Sequence, residues 1–125
     1  MWRLQPALCL CAAALAGCGG GDAPPARTVT VPGGEAVRVI AKEYFFDPAG
    51  LVVNAGRLRI TLDNRGSLAH NIKVVEDGRE LGGTASFPGG GQRSATVNVA
   101  RGEYRLVCTV GDHEEKGMDG TLEVR

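Results

Sequence analysis

The stretch Gly102-Glu-Tyr104-Arg-Leu106-Val-Cys108-Thr-Val-Gly-Asp-His113-Glu-Glu-Lys-Gly-Met118-Asp-Gly-Thr-Leu122-Glu-Val124 decides both the architecture and the chemistry of this chain. Tyr104, Leu106 and Cys108 alternate with Arg105, Val107 and Thr109, the two-residue period of a strand that lays one face on a core. Four residues separate Cys108 from His113, and four more, ending at the flexible Gly117, separate His113 from Met118. A turn of that length brings an imidazole and then a thioether back towards the thiol at the strand's end. Gly120 then releases the chain into a last short strand, Thr121 to Val124.

The same period recurs upstream. Leu58, Ile60 and Leu62 alternate with Arg59, Thr61 and Asp63; His70, Ile72 and Val74 with Asn71 and Lys73; Ala95, Val97 and Val99 with Thr96 and Asn98. Val37 to Ala41 and Leu51 to Val53 are rich in β-branched residues, and no segment has a helical period. Turn residues separate these runs at Asp47-Pro48, Asn54-Ala55-Gly56, Asn64-Arg65-Gly66, Asp77-Gly78, Pro88 to Gly91 and Arg101-Gly102. Seven to eight short strands so punctuated predict an all-β fold, an antiparallel Greek-key sandwich.

A chain of 125 residues holds one small domain. Its 14 basic and 14 acidic side chains balance, which removes the electrostatic case for nucleic-acid binding. The N-terminal residues read as an export signal: Arg3, an apolar run from Leu4 to Ala16, then Leu15-Ala16-Gly17-Cys18. That ending resembles a bacterial lipobox, in which the cysteine is acylated and becomes the new N-terminus. The expected organisation is a signal peptide over 1–17, a lipidated tether over 18–35 with a short strand at Val29–Val31, and the folded domain over 36–125. Cys9 and Cys11 would leave with the signal and Cys18 would carry the lipid, so Cys108 would remain as a solitary thiol in an oxidising compartment. Such a thiol needs burial or a metal.

Taken singly, Cys108, His70, His113 and Met118 have plain readings as a core cysteine, a strand histidine, a surface histidine and a packing methionine. Together they are the thiolate, two imidazoles and thioether that suit a copper ion, with Met118 as the weak axial ligand. His70 is the only other histidine of the chain, and its strand phase starts it on the core-facing side. A His2Cys set also suits zinc.

At this point the chain resembles the cupredoxins, the plastocyanin, azurin and auracyanin group. The likeness runs from Val37 to Arg125 and rests on Phe46-Asp47-Pro48, Gly56, Asn64, His70-Asn71, Gly102-Glu103-Tyr104, Cys108, His113 and Met118. The resemblance implies one type 1 copper, Asn71 bracing the loop that carries Cys108, and a structural role for Tyr104. The interval from Cys108 to His113 is longer than in plastocyanin, and the loop lacks the second cysteine that a two-copper centre requires.

The expectation is therefore a monomeric, lipid-anchored electron carrier in the bacterial cell envelope, with His113 as its partly exposed port. Its partners would be redox proteins such as a c-type cytochrome or a membrane oxidase. The alternative is a module for acquiring, delivering or storing copper, which the absence of Met- or His-rich tracts disfavours. An enzyme is not expected, because a substrate-binding second copper centre needs further histidines. The acidic residues Asp112, Glu114, Glu115 and Asp119 read either as a docking patch or as a solvated loop.

Overall fold

The structure is a computed structural model and describes residues 23–33 and 36–125; the signal peptide and Cys18 lie outside the described residues. Among the described residues, ten strands form two packed sheets: β1 (Thr28–Thr30), β2 (Val37–Lys42), β3 (Phe45–Asp47), β4 (Gly50–Val53), β5 (Gly56–Asn64), β6 (Lys73–Glu76), β7 (Arg79–Gly83), β8 (Gln92–Val99), β9 (Gly102–Val107) and β10 (Asp119–Val124). The larger sheet runs β1-β4-β10-β9-β6-β7 and the smaller β3-β2-β5-β8. The two strands beyond the expected number are the three-residue β3 and the five-residue β7, while β1 lies one residue before the short strand expected at Val29–Val31.

Alternating residues build the core as their period requires. Val37, Val39 and Ala41 of β2, Leu58, Ile60 and Leu62 of β5, and Val97 and Val99 of β8 are buried. They join one cluster with Leu51, Val74, Tyr104, Leu106, Leu122 and Val124 of the other sheet. Burying an aliphatic side chain of this size is worth about 1.5–3 kcal/mol, so this interdigitated layer is the main source of stability. The Tyr104 hydroxyl donates to the Ala100 carbonyl at 2.8 Å, satisfying its one polar atom in the core wall.

The sheets are mixed, whereas antiparallel pairing was expected. β2 pairs with β5, and β4 with both β1 and β10, in parallel. Alternation sets which face of a strand is buried but not the direction of its neighbour.

This pairing gathers one end of the sandwich. In register, Ala41 lies beside Asn64, so β2 and β5 finish together. Lys73 and Asp119 both pair with Val107, so β6 and β10 begin where β9 ends. Four connections therefore meet there: residues 43–44, 65–72, 84–91 and 108–118.

Candidate metal centre

Cys108 is the first residue past β9. Its N–H donates to the Met118 carbonyl at 3.1 Å, and the Met118 N–H donates to the His113 carbonyl at 3.0 Å. The intervening turn is held by bonds from the His113 N–H to Val110 and from the Gly117 N–H to Glu114, both 3.1 Å. Gly117 has a φ of 130°, a conformation costly for any other residue. A Cβ there would also stand 2.8 Å from the Tyr44 carbonyl oxygen.

His70 does not open a strand, as its phase suggested; β6 begins three residues later, at Lys73. It forms an isolated bridge with Phe87, each N–H donating to the other's carbonyl, at 3.2 and 3.1 Å. Its side chain still points inward and is fully buried. Asn64 secures this bridge from within the core. Its side-chain amide donates to the Leu68 and Phe87 carbonyls, both at 3.0 Å, and its Oδ1 accepts the Gly66 N–H at 3.0 Å. Asn71 spans the gap to the cysteine loop: its amide donates to Thr109 Oγ1 and its Oδ1 accepts the Thr109 N–H, both at 2.8 Å.

These supports bring three donors to one point. His70 Nδ1 lies 3.2 Å from His113 Nδ1 and 4.0 Å from Cys108 Sγ, and His113 Nδ1 lies 3.7 Å from Cys108 Sγ. A triangle with those sides has its circumcentre about 2.1 Å from each corner, close to the roughly 2.0–2.3 Å that zinc makes to imidazole and thiolate. All three residues are buried, and Met118, on the same loop, is fully buried too. The donor set thus fits a single ion, and its soft sulfur donors beside two imidazoles match copper.

The far side of His70 carries a residue that its sequence context did not single out. Glu43, in the turn between β2 and β3, accepts from His70 Nε2 at 2.9 Å and from the Leu68 N–H at 2.8 Å. Burial pulls the Glu43 carboxyl upward, but the Leu68 N–H, His70 and the Ser67 N–H outweigh it and bring it down to about 2. Burial holds the His70 imidazole below its usual value despite Glu43, which raises it, so the ring is neutral and able to ligate at pH 7. No period marks Glu43, since it lies in a turn 27 residues from its partner.

His113 is 7% exposed, against 0% for His70, Cys108 and Met118. This opening is narrower than a surface port because the Tyr44 ring stands edge-on to it, with centroids 5.0 Å apart. The neighbouring acids are largely paired: Arg105 binds Glu114 at 2.6 Å and Asp119 at 2.7 Å, and Lys116 binds Asp112 at 3.1 Å. That pairing favours the solvated loop over a free acidic docking patch.

The profile of the family described as copper binding proteins, plastocyanin/azurin family, matches residues 35–125. A sequence search against curated proteins gave no match. Among solved structures, the reduced auracyanin of Roseiflexus castenholzii aligns with a TM-score of 0.66 at 20% identity, over 72% of this chain and 96% of its own. Auracyanin A of Chloroflexus aurantiacus gives 0.62 at 19% identity, over 79% and 100%. An azurin from Methylomonas sp. strain J gives 0.64 at 13% identity, over 72% and 97%.

Proposed function

The chain belongs to the plastocyanin/azurin family of copper binding proteins, and from that premise we propose that it is a one-electron carrier holding a single type 1 copper. The observation that carries the reading is the converged, buried triangle of His70 Nδ1, Cys108 Sγ and His113 Nδ1. When bound, copper supplies a couple between Cu(II) and Cu(I). The protein's own residues supply the rest. His70 and His113 would offer their Nδ1 atoms, Cys108 its thiolate and Met118 its thioether.

The frame around them resists rearrangement. The Asn71–Thr109 pair ties the His70 segment to the cysteine loop, and the Cys108–Met118 backbone bond closes that loop on itself. Donors already converged and held by such bonds move little when the charge at their centre changes, which suits rapid electron exchange. Burial of all four side chains excludes water. Of the four, only His113 retains any exposure, 7%, and Tyr44 screens it.

The chain contains two histidines, and both are committed to this one centre. That leaves no imidazole for a second copper at which a substrate could react, so we read a carrier rather than a catalyst. Acylation at Cys18 would keep the domain at a membrane of the bacterial cell envelope and raise its effective concentration near membrane-bound redox partners. A c-type cytochrome and a membrane oxidase are suitable as donor and acceptor.

The test is stopped-flow mixing of the oxidised, copper-loaded protein with a reduced c-type cytochrome, together with competition by a Cu(I) chelator. The reading expects reversible bleaching on the millisecond-to-second scale with copper retained through repeated cycles. Rapid loss of Cu(I) to the chelator would overturn it in favour of copper delivery.

A further inference from the structure

Glu43 stands on the side of His70 away from the donor triangle. Its Oε1 is 2.9 Å from His70 Nε2, while His70 Nδ1 is the atom that faces Cys108 and His113. A carboxylate only accepts hydrogen bonds, so Nε2 is the protonated nitrogen and the Nδ1 lone pair is left pointing into the triangle.

The carboxylate is itself held in place. The Leu68 N–H donates to the same oxygen at 2.8 Å, from a turn whose shape Asn64 fixes through Gly66 and Leu68. Gly66 leaves the space that the carboxylate occupies, since a Cβ there would stand 2.8 Å from Glu43 Cδ. The next residue, Tyr44, packs on His113. One turn of the chain thus braces both imidazoles.

We propose that Glu43 is a positioning residue for the metal, fixing the His70 tautomer and placing a negative charge beside the centre so that Cu(II) is favoured over Cu(I). The inference rests on the copper reading above. Carboxylates hydrogen-bonded to ligating histidines orient the ring and raise its basicity, and removing such partners costs about 10–100-fold in metal affinity. A basic ligand and a nearby anion both stabilise the higher charge, so Glu43 lowers the reduction potential.

The test uses Glu43→Gln, which keeps shape and an acceptor oxygen but removes the charge, and Glu43→Ala, which removes both. Glu115→Gln, at an exposed acid of the ligand loop, controls for general loss of charge. Spectroelectrochemistry of the copper-loaded proteins should show the Cu(II)-to-Cu(I) affinity ratio of Glu43→Gln falling about tenfold, a rise of about 59 mV for one electron, with the blue band kept. Glu115→Gln should shift far less. Nitrogen NMR of the metal-free protein should show His70 protonated at Nε2 in the wild type and a mixture of tautomers in Glu43→Ala.

An intact blue band with an unchanged potential in Glu43→Gln overturns this inference alone, as do equal shifts in Glu43→Gln and Glu115→Gln. A wild-type protein that shows no blue band refutes the copper reading and takes this inference with it.

Discussion

Asn71 and Thr109 exchange two hydrogen bonds of 2.8 Å across a gap of 38 residues, joining the segment that carries His70 to the loop that carries Cys108. Each ligand neighbours one partner of the pair, so the separation of imidazole and thiol is set by side chains that never touch the metal. Truncation by Asn71→Ala leaves the Thr109 N–H without its acceptor, in a part-buried position. The expected cost is about 1–3 kcal/mol of stability, read by urea denaturation, with faster copper release to a chelator. An unchanged release rate would show that the loop holds its place without this brace.

Asn64 has a larger task, since its side chain makes three hydrogen bonds from a fully buried position. Asn64→Ala strands the Leu68 carbonyl and the Gly66 N–H and leaves the Phe87 carbonyl with the His70 N–H alone. A loss of about 3 kcal/mol is expected. Thermal unfolding of the metal-free protein checks it without interference from copper.

Acid sensitivity should trace in part to Asp63, whose carboxylate pairs with Arg38 at 2.5 Å and Arg65 at 2.8 Å. The Arg38 hydrogen bond, opposed by burial and aided by Arg65, holds its carboxyl below the usual carboxylate range. A carboxyl depressed in the folded state contributes stability above its unfolded value, near pH 4, and loses it as pH falls through the lower folded value. Asp63→Asn should therefore cost about 1 kcal/mol at pH 7, a modest figure because both arginines are half exposed and screened, and progressively less as the pH falls below about 4. Denaturation curves across that range would show the two proteins converging in acid; a constant gap would contradict the linkage.

Gly117 is the point at which the ligand loop admits no side chain. With a φ of 130° and the Tyr44 carbonyl in the way, Gly117→Ala must shift the backbone next to Met118. About 2 kcal/mol of destabilisation is expected, together with a changed copper spectrum as the thioether moves. Destabilisation with an unaltered spectrum would mean that Met118 is indifferent to this turn.

Much of this was legible from side-chain period. Leu58, Ile60 and Leu62, and Tyr104, Leu106 and Cys108, fall on the core because alternation fixes the buried face. The spacing from Cys108 to His113 to Met118 marked the loop because ligands so close in sequence need only a turn to meet. The parallel neighbours of β2 and β4 were not legible, since the pattern of a strand carries no direction for its partner. His70 was placed on the correct side of the core but in the wrong element, because the Phe87 bridge comes from a distant, aperiodic segment. Glu43 gave no signal, as an acid between Lys42 and Tyr44 reads as a solvated turn until the fold lays residues 66–70 over it. Cys18 and the expected anchor lie outside the described residues.

The most direct measurement is the visible absorption spectrum of the protein given one equivalent of Cu(II), recorded beside Cys108→Ser. Ligation by Cys108 predicts an intense thiolate-to-copper charge-transfer band in the wild type and none in the variant. A wild-type protein that stays colourless, or a band that survives unchanged in Cys108→Ser, would contradict it.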